Sequence, residues 1–227
     1  YCPNGLQVEG KSKVGKIVTG VTASMALLEA AKEADADLIL VHHGYFWRNE
    51  DARVVGIKRN RLGFLLKNDL NLMAYHLPLD VHPELGNNVQ LARRLGIVTT
   101  SFAGEANIIG CGTLASPVRL KDFVDHLESV LQRTPTVIGD LEKIVSNVAW
   151  CTGAGQGYIN TAIELGVDVF ISGEISEQTP HQSLESGVSY IAAGHHVTER
   201  YGVQALGEHL ARKFKISHEF IDIKNSV

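Results

Sequence analysis

The segment KIVTGVTASMALLEAAKEADADLILVHHG, residues 16–44, determines the fold that we expect for this chain. LILV is apolar at four successive positions, which is typical of a strand buried on both faces between helices. A turn of small residues and apolar side chains at helical spacing precede it, and they predict a helix over 23–34. The segment therefore predicts a βαβ unit with parallel strands.

A divergent copy of this segment follows at residues 147–174, NVAWCTGAGQGYINTAIELGVDVFISGE. When Asp37 is aligned with Asp168, His43 falls on Glu174. Two βαβ units always share part of this pattern, so the likeness alone does not establish a repeat. With it, we predict an α/β fold of two intertwined βαβ-rich halves that form a pseudo-repeat, with mixed sheets covered by helices.

Each half continues to a further apolar strand, NLMAYH in the first and VSYIAAGH in the second. There His76 corresponds to His195, and Asp80 corresponds to Glu199. We expect a first α/β half over 1–96, a β-rich connecting segment over 97–146 and a second α/β half over 147–227. Helical spacing predicts the helices 23–34, 58–68, 88–95, 120–132, 156–165 and 199–213.

Composition excludes several classes of protein. Of 227 residues, 44% are hydrophobic and 20% are charged, which is typical of a soluble globular chain. The net charge of −4 gives no general reason to expect nucleic-acid binding, although a basic patch on one face remains an alternative. No apolar run approaches the roughly 20 residues of a membrane span. Three widely spaced cysteines without a CxxC pair favour a reducing compartment, hence the cytoplasm, and argue against thiolate metal ligands.

Three groups of metal-ligand residue types stand at the ends of apolar strands. His42 and His43 follow LILV and precede Gly44, which would permit the unusual backbone angles that two adjacent rings need to converge. The alternative is one buried core histidine beside one exposed histidine.

His195 and Glu199 form an H-x3-E pair, with Glu199 expected in the first turn of a helix that begins near Thr198. Alternatively, Glu199 only interacts with the helix dipole. His76 and Asp80 repeat the spacing as H-x3-D.

Together these groups predict a two-metal site, since ligands bind beyond the carboxyl ends of strands in open α/β sheets. Imidazole and carboxylate donors suit zinc, manganese, iron or nickel. A purely structural account of the same residues remains the alternative. The predicted ligands of two divalent ions per subunit are His42, His43, Asp80, His195 and Glu199.

Other residues are candidates for a supporting part. Glu174, His76 and His196 could orient a water molecule or transfer a proton, while Glu174 could equally be an acid that caps a helix. The glycine pattern at 153, 155 and 157 lacks a full G-x-G-x-x-G and a ribose-binding acid, so a dinucleotide site is poorly supported.

The motifs together closely resemble the YbgI-like family, whose members are commonly named GTP cyclohydrolase 1 type 2 homologues. The motifs are NGLQVEG (4–10), TGVTAS (19–24), VHHGYFW (41–47), HLPLDVHPELGNN (76–88), SGEISEQT (172–179) and AGHHVTERYG (193–202). The resemblance implies the short form of the family, without an inserted domain. It also implies a toroidal homohexamer whose dinuclear metal centres face an inner cavity.

The family's motifs place its metal ligands on the same five residues. His76 is then expected to support a ligand and not to bind metal itself. The leading hypothesis is a metal-dependent hydrolase that acts on a nucleotide-like or other anionic small molecule through a metal-activated water. The alternative is a non-catalytic, ring-shaped metal-binding module that binds nucleic acid or a protein partner.

Overall fold

The computed structural model describes residues 1–227 and contains eleven β-strands and eight α-helices. In chain order they are β1 (Gly5–Val8), β2 (Lys16–Thr22), α1 (Met25–Glu33), β3 (Leu38–His43), α2 (Gly56–Lys67), β4 (Asn71–Ala74), α3 (Leu77–Asp80), α4 (Asn87–Leu95), β5 (Val98–Ala103), β6 (Ile109–Arg119), α5 (Leu120–Leu131), β7 (Thr136–Ile138), β8 (Ile144–Cys151), α6 (Ile159–Glu164), β9 (Val169–Ser172), α7 (Thr179–Ser186), β10 (Ser189–Ala192), α8 (His195–Phe214) and β11 (Ser217–Phe220). None of the helices has the length and apolar composition that a membrane crossing requires.

The chain forms two compact units. The first unit comprises Tyr1–Leu79 and Gly202–Lys224, and the second comprises Asp80–Tyr201 and Asn225–Val227. Each unit is built on one mixed sheet with helices, which confirms the predicted fold class.

The sheet of the first unit has the strand order β1-β4-β3-β2-β11, with only β1 antiparallel to its neighbour. Side chains of β3 alternate between two cores, as successive residues of a strand must. Ile39 and Val41 pack in a core with residues of α1 and α2. Leu38 and Leu40 pack in a second core with Val203 of α8. The strand is thus buried on both faces, as its continuous apolar run predicts.

The sheet of the second unit has the order β5-β6-β8-β9-β10-β7, and its three central strands β8, β9 and β10 are parallel. Its main core unites residues of α4 and α5 with the inward side chains of these strands, among them the fully buried Trp150. The Trp150 indole N–H donates to the carbonyl oxygen of Asn88 at 3.0 Å, so this buried donor is satisfied.

The pseudo-repeat is visible in the strand register. Ile17 of β2 pairs with Leu38 of β3, and Val148 of β8 pairs with Val169 of β9, so both strands are displaced by 131 residues (148 − 17 and 169 − 38). The two βαβ units therefore have the same register at the offset that aligning Asp37 with Asp168 gives.

The two units divide the chain at other positions than the three segments expected from the sequence, 1–96, 97–146 and 147–227. The chain returns at its end, because β11 pairs with β2 in the sheet of the first unit. Helix α4 contributes Leu91 and Leu95 to the core of the second unit. Two short helices, α3 and α7, were not expected, and α8 begins at His195 instead of near Thr198.

Candidate metal centre

The first unit contains a cluster of three histidines, His42, His43 and His76, each contributing one ring nitrogen, and these nitrogens lie within 4.8 Å of one another. His42 and His43 end β3, and His76 follows β4, so the cluster lies beyond the carboxyl ends of two neighbouring parallel strands. The ring centroids of the adjacent His42 and His43 are 4.7 Å apart. The two rings therefore converge, and the alternative of one buried and one unrelated exposed histidine does not describe them.

Hydrogen bonds orient the first two rings. The carbonyl oxygen of Tyr75 lies 2.9 Å from Nδ1 of His42, and since a carbonyl only accepts, we assign the ring proton to Nδ1. The lone pair of the fully buried His42 ring is then on Nε2, as in many histidines that bind metals. Nδ1 of His43 lies 3.1 Å from the Thr22 hydroxyl oxygen.

Gly44 serves this cluster by close packing, and its φ is not positive, so it does not use the left-handed conformation that glycine permits. A Cβ at Gly44 would lie 2.2 Å from Oε1 of Gln7. That side chain accepts from the backbone N–H of Tyr45 at 2.7 Å and donates to its carbonyl at 3.0 Å. A side chain at position 44 would displace Gln7 from the turn that follows the two histidines.

The second unit holds His195 between two carboxylates. Because α8 begins at His195, Glu199 lies one turn later on the same helix face, and its Oε2 is 2.9 Å from Nε2 of His195. Nδ1 of His195 lies 2.6 Å from Oε1 of Glu174. Burial lowers the pKa of His195, but the hydrogen bonds and charges of Glu199 and Glu174 outweigh it and raise the pKa to about 9.

Two glycines of the segment 153–157 leave no room for a side chain. A Cβ at Gly153, whose φ is +64°, would lie 1.9 Å from Oε1 of Glu199 and 3.1 Å from Nε2 of His195. A Cβ at Gly155 would lie 2.6 Å from that of Cys151, whereas one at Gly157 would meet nothing. Packing thus explains two of the three glycines in the pattern that the sequence offered as a weak nucleotide signal.

Asp80 is buried at the end of α3. Its Oδ1 accepts from the Asn87 side-chain amide at 2.9 Å and from the Thr152 hydroxyl at 3.4 Å. Burial raises the pKa of the Cys151 thiol, and the charges of Asp80 and Glu199 raise it further. In the absence of a bound metal, this cysteine is therefore a protonated thiol.

The three predicted supporting residues have different surroundings. Glu174 holds His195 and accepts from the Gln156 side-chain amide at 3.2 Å, so it is not merely a capping acid. His76 belongs to the histidine cluster itself, with its ring 4.8 Å from that of Trp47. His196 is buried, and its backbone N–H donates to the carbonyl oxygen of Val227 at 3.1 Å.

Several residues that hold the site were missed by reasoning on the sequence. Thr22, Tyr75, Asn87, Thr152 and Gln156 act through single hydrogen bonds to the candidate ligands or to Glu174. Tyr75 acts through its backbone carbonyl, which leaves no trace in residue type. Position next to a strand end was the only available signal for Thr22 and Thr152.

Fold and side chains together define an α/β protein with a candidate metal centre at the carboxyl ends of its parallel strands. Comparison with known proteins identifies its family. A family model described as Duf34/NIF3 (NGG1p interacting factor 3) matches residues 1–226. The chain belongs to this family.

Two named relatives and one solved structure are similar to this chain over nearly its whole length. A Pseudomonas aeruginosa protein named GTP cyclohydrolase 1 type 2 homolog is 57% identical over 99% of this chain and 90% of its own length. A Vibrio cholerae protein of the same name is 53% identical over 100% of this chain and 92% of its own. The solved structure of protein ybgI, described as of unknown function, is 52% identical with a TM-score of 0.97, and the match covers 100% of this chain and 92% of ybgI.

Proposed function

We propose that this protein is a dinuclear-metal-dependent hydrolase. Its metal ligands in this proposal are His42, His43, Asp80, His195 and Glu199. The observation that carries the proposal is that both units place residues of metal-binding type at the carboxyl ends of parallel strands. These are the histidine cluster after β3 and β4, and Glu174 and His195 after β9 and β10.

The donor set fits divalent transition-metal ions. Imidazole nitrogen and carboxylate oxygen are ligands of zinc, manganese, iron and nickel. His42 has its Nδ1 hydrogen-bonded to a backbone carbonyl, and His195 has its Nδ1 hydrogen-bonded to a carboxylate. Backbone carbonyls and carboxylates are common partners behind a metal-binding histidine, and with Nδ1 so bonded each ring would offer Nε2 to a metal ion.

In the proposed reaction, two bound ions would activate a water molecule and polarise the group under attack. The chain's own residues have the remaining tasks. Glu174 holds the His195 ring in place and shares in the charge balance of the site. Glu174, His76 and His196 are the candidates for orienting the water or moving a proton. A buried environment around His42, Asp80 and Glu199 would strengthen each electrostatic contact.

For the substrate, we propose a nucleotide-like or otherwise anionic small molecule. The name carried by the relatives refers to GTP, and a site that holds two cations attracts anions. We further propose a homohexamer, as the resemblance implies, in the cytoplasm. Free Cys111 and Cys151, both buried, are compatible with a reducing compartment.

Removal of metal with a chelator distinguishes the proposed hydrolase from a non-catalytic ring in which the metal only supports assembly. The full chain would be treated with a chelator, and its mass would be followed by light scattering beside hydrolysis of a panel of nucleotides and phosphate esters. We expect the assembly to persist while turnover is lost, and turnover to return with Zn²⁺, Mn²⁺, Fe²⁺ or Ni²⁺. Disassembly or unfolding on chelation, with no turnover under any condition, would make the metal structural.

A further inference from the structure

Trp47 is a partly exposed tryptophan beside the histidine cluster of the first unit. The centroid of its ring lies 4.8 Å from that of His76, with the two ring planes at 85°, and 6.0 Å from that of His43. The side chain keeps exposed surface although it lies against two of the three clustered histidines. The indole thus offers an apolar, aromatic surface to a molecule that binds at these histidines.

The other tryptophan of the chain has a purely structural part. Trp150 is fully buried in the core of the second unit, and its indole N–H donates to the carbonyl oxygen of Asn88 at 3.0 Å. The indole N–H of Trp47 is satisfied in the same way, by the carbonyl oxygen of Gly44 at 3.2 Å. Its ring, however, is not enclosed by a core. Because water solvates an aromatic face poorly, a ligand that covers this ring gains hydrophobic free energy.

The turn that carries Trp47 has a closed and strained backbone. Phe46 and Asn49 have φ values of +64° and +68°, in the left-handed region that residues other than glycine seldom adopt. The backbone N–H of Glu50 donates to the Trp47 carbonyl oxygen at 3.0 Å, and the Trp47 N–H donates back to the Glu50 carboxylate at 3.1 Å. Strained residues cluster where a protein holds a ligand, because the surrounding structure must maintain them. The strain therefore points in the same direction as the exposed ring.

Lys58 of α2 stabilises this turn. Its ammonium donates to the Asp51 carbonyl oxygen at 2.9 Å, lies 3.5 Å from a carboxylate oxygen of Glu50, and lies 5.4 Å from the centre of the Phe46 ring. The Trp47 ring is thus held in place before any ligand binds. Little conformational freedom is lost on binding, which favours affinity.

We infer that Trp47 stacks against a planar heteroaromatic ring, such as a nucleobase, of the ligand on which the proposed metal centre acts. The inference rests on the proposed function and narrows its substrate class, since an anion without a planar ring would leave the indole uncovered. Stacking accepts any base, because every base has a π face. Trp47 is therefore a specificity residue that favours nucleotide-like ligands over other anions.

Binding of guanosine monophosphate to the full chain, with metal added, tests this inference by calorimetry. Ribose phosphate, which has the sugar and the phosphate without the base, is the matched ligand. We expect Trp47→Leu to lower the affinity for guanosine monophosphate about fivefold to a hundredfold, and to leave the affinity for ribose phosphate unchanged. Trp47→Phe retains a stacking ring and should recover most of the lost affinity. Phe214→Leu, which alters an exposed aromatic residue at the end of α8, should bind both ligands as the parent chain does.

Fluorescence of the parent chain gives a second measurement that needs no variant. Because Trp150 is fully buried, a stacked ligand can quench the tryptophan emission only through Trp47. We expect quenching by guanosine monophosphate and none by ribose phosphate. Three results would each overturn the inference: a parent chain without preference for guanosine monophosphate, binding without quenching, or a Trp47→Leu variant that loses affinity for both ligands or loses its metal. In the last case Trp47 would only support the histidines.

The metal-free chain separates failure of this inference from failure of the proposed hydrolase. A chain that takes up no metal would contradict the hydrolase, while the preference for guanosine monophosphate and its dependence on Trp47 would still be measured on that chain. Metal uptake without any preference for the base would overturn the inference on Trp47 and leave a hydrolase of some other anionic substrate.

Discussion

The βαβ unit of β2, α1 and β3 and the βαβ unit of β8, α6 and β9 share a backbone frame and differ in the chemistry at their strand ends. In the first, the Asp37 carboxylate accepts from the backbone N–H groups of Gly15 and Lys16 at 2.8 and 3.0 Å. In the second, the Asp168 carboxylate accepts from Ser146 and Asn147 at 2.9 and 2.8 Å. The corresponding aspartate thus binds backbone N–H groups of the first strand of the unit, or of the residue just before it, in both copies.

Residues at corresponding strand ends of the two copies make different contacts. At the 131-residue offset, Thr22 corresponds to Gly153 and His43 corresponds to Glu174. Thr22 supports the His43 ring through its hydroxyl, whereas Gly153 provides the space that Glu199 occupies. His43, a candidate ligand in the first copy, therefore corresponds to Glu174, which is hydrogen-bonded to the candidate ligand His195 in the second. The two copies share the register that positions the strand ends and differ in the side chains that stand there.

The largest expected effect comes from removing the space beside Glu199. Gly153→Ala places a methyl group 1.9 Å from a carboxylate oxygen at a positive φ, and we expect a loss of about 3 kcal/mol in the free energy of unfolding. Metal binding should fall with it, because Glu199 must move. Chemical denaturation and metal analysis measure the two effects. Gly157→Ala is the control, since its Cβ would meet nothing, and an equal loss in both variants would contradict the steric account.

Removal of the shared aspartate tests whether the frame is equivalent in the two copies. Asp37→Ala and Asp168→Ala each leave two backbone N–H groups without their carboxylate, so we expect each to lose about 2–3 kcal/mol of unfolding free energy. Urea denaturation of the two variants measures the loss. If only one variant is destabilised, the frames are not energetically equivalent.

Replacing the residues behind the ligands compares the two strand ends directly. Glu174→Gln removes the charge at Nδ1 of His195, and we expect metal affinity to fall about 10–100-fold. Thr22→Val removes a neutral partner of His43, so its effect should be smaller than tenfold. Competition with a chromophoric chelator gives both affinities. If Thr22→Val lowers metal affinity more than Glu174→Gln does, the charged partner of His195 is not the stronger support, and this account is wrong.

A further comparison concerns pH in the metal-free protein. The pKa of His195 is raised to about 9, so the charged ring stabilises the fold fully below its unfolded value of about 6.5. This contribution is lost as the pH rises toward about 9. We expect the denaturation midpoint, measured with chelator present, to fall between pH 6.5 and 9. In the variant His195→Asn the denaturation midpoint should fall less over this pH range. The same pH dependence in the variant and the parent chain would contradict the role assigned to the His195 charge.

Much of the fold was predictable because it rests on periodicity. The apolar runs of β3 and β9, the repeat offset and most helices follow from where apolar residues recur. The return of β11 to β2 was not predictable, since a four-residue strand with the exposure of SHEF carries little pattern. Short helices such as α3, with four residues, end before apolar side chains can recur at helical spacing.

The candidate site was predictable in its residue types and not in its supports. His42, His43 and His195 stand out because imidazoles at the carboxyl ends of apolar strands are residues of metal-binding type. The position of Glu199 relative to His195 depended on where α8 begins, and Gly194 moves that start to His195. Supports such as the Tyr75 carbonyl act through the backbone, which every residue shares.

The most direct test of the central claim is the metal content per subunit of protein purified without chelators, beside His42→Ala and Glu199→Ala. The account predicts about two transition-metal ions per chain, with loss of metal in each variant. Folded protein that contains no metal, and takes up none when Zn²⁺, Mn²⁺, Fe²⁺ or Ni²⁺ is added, would contradict it.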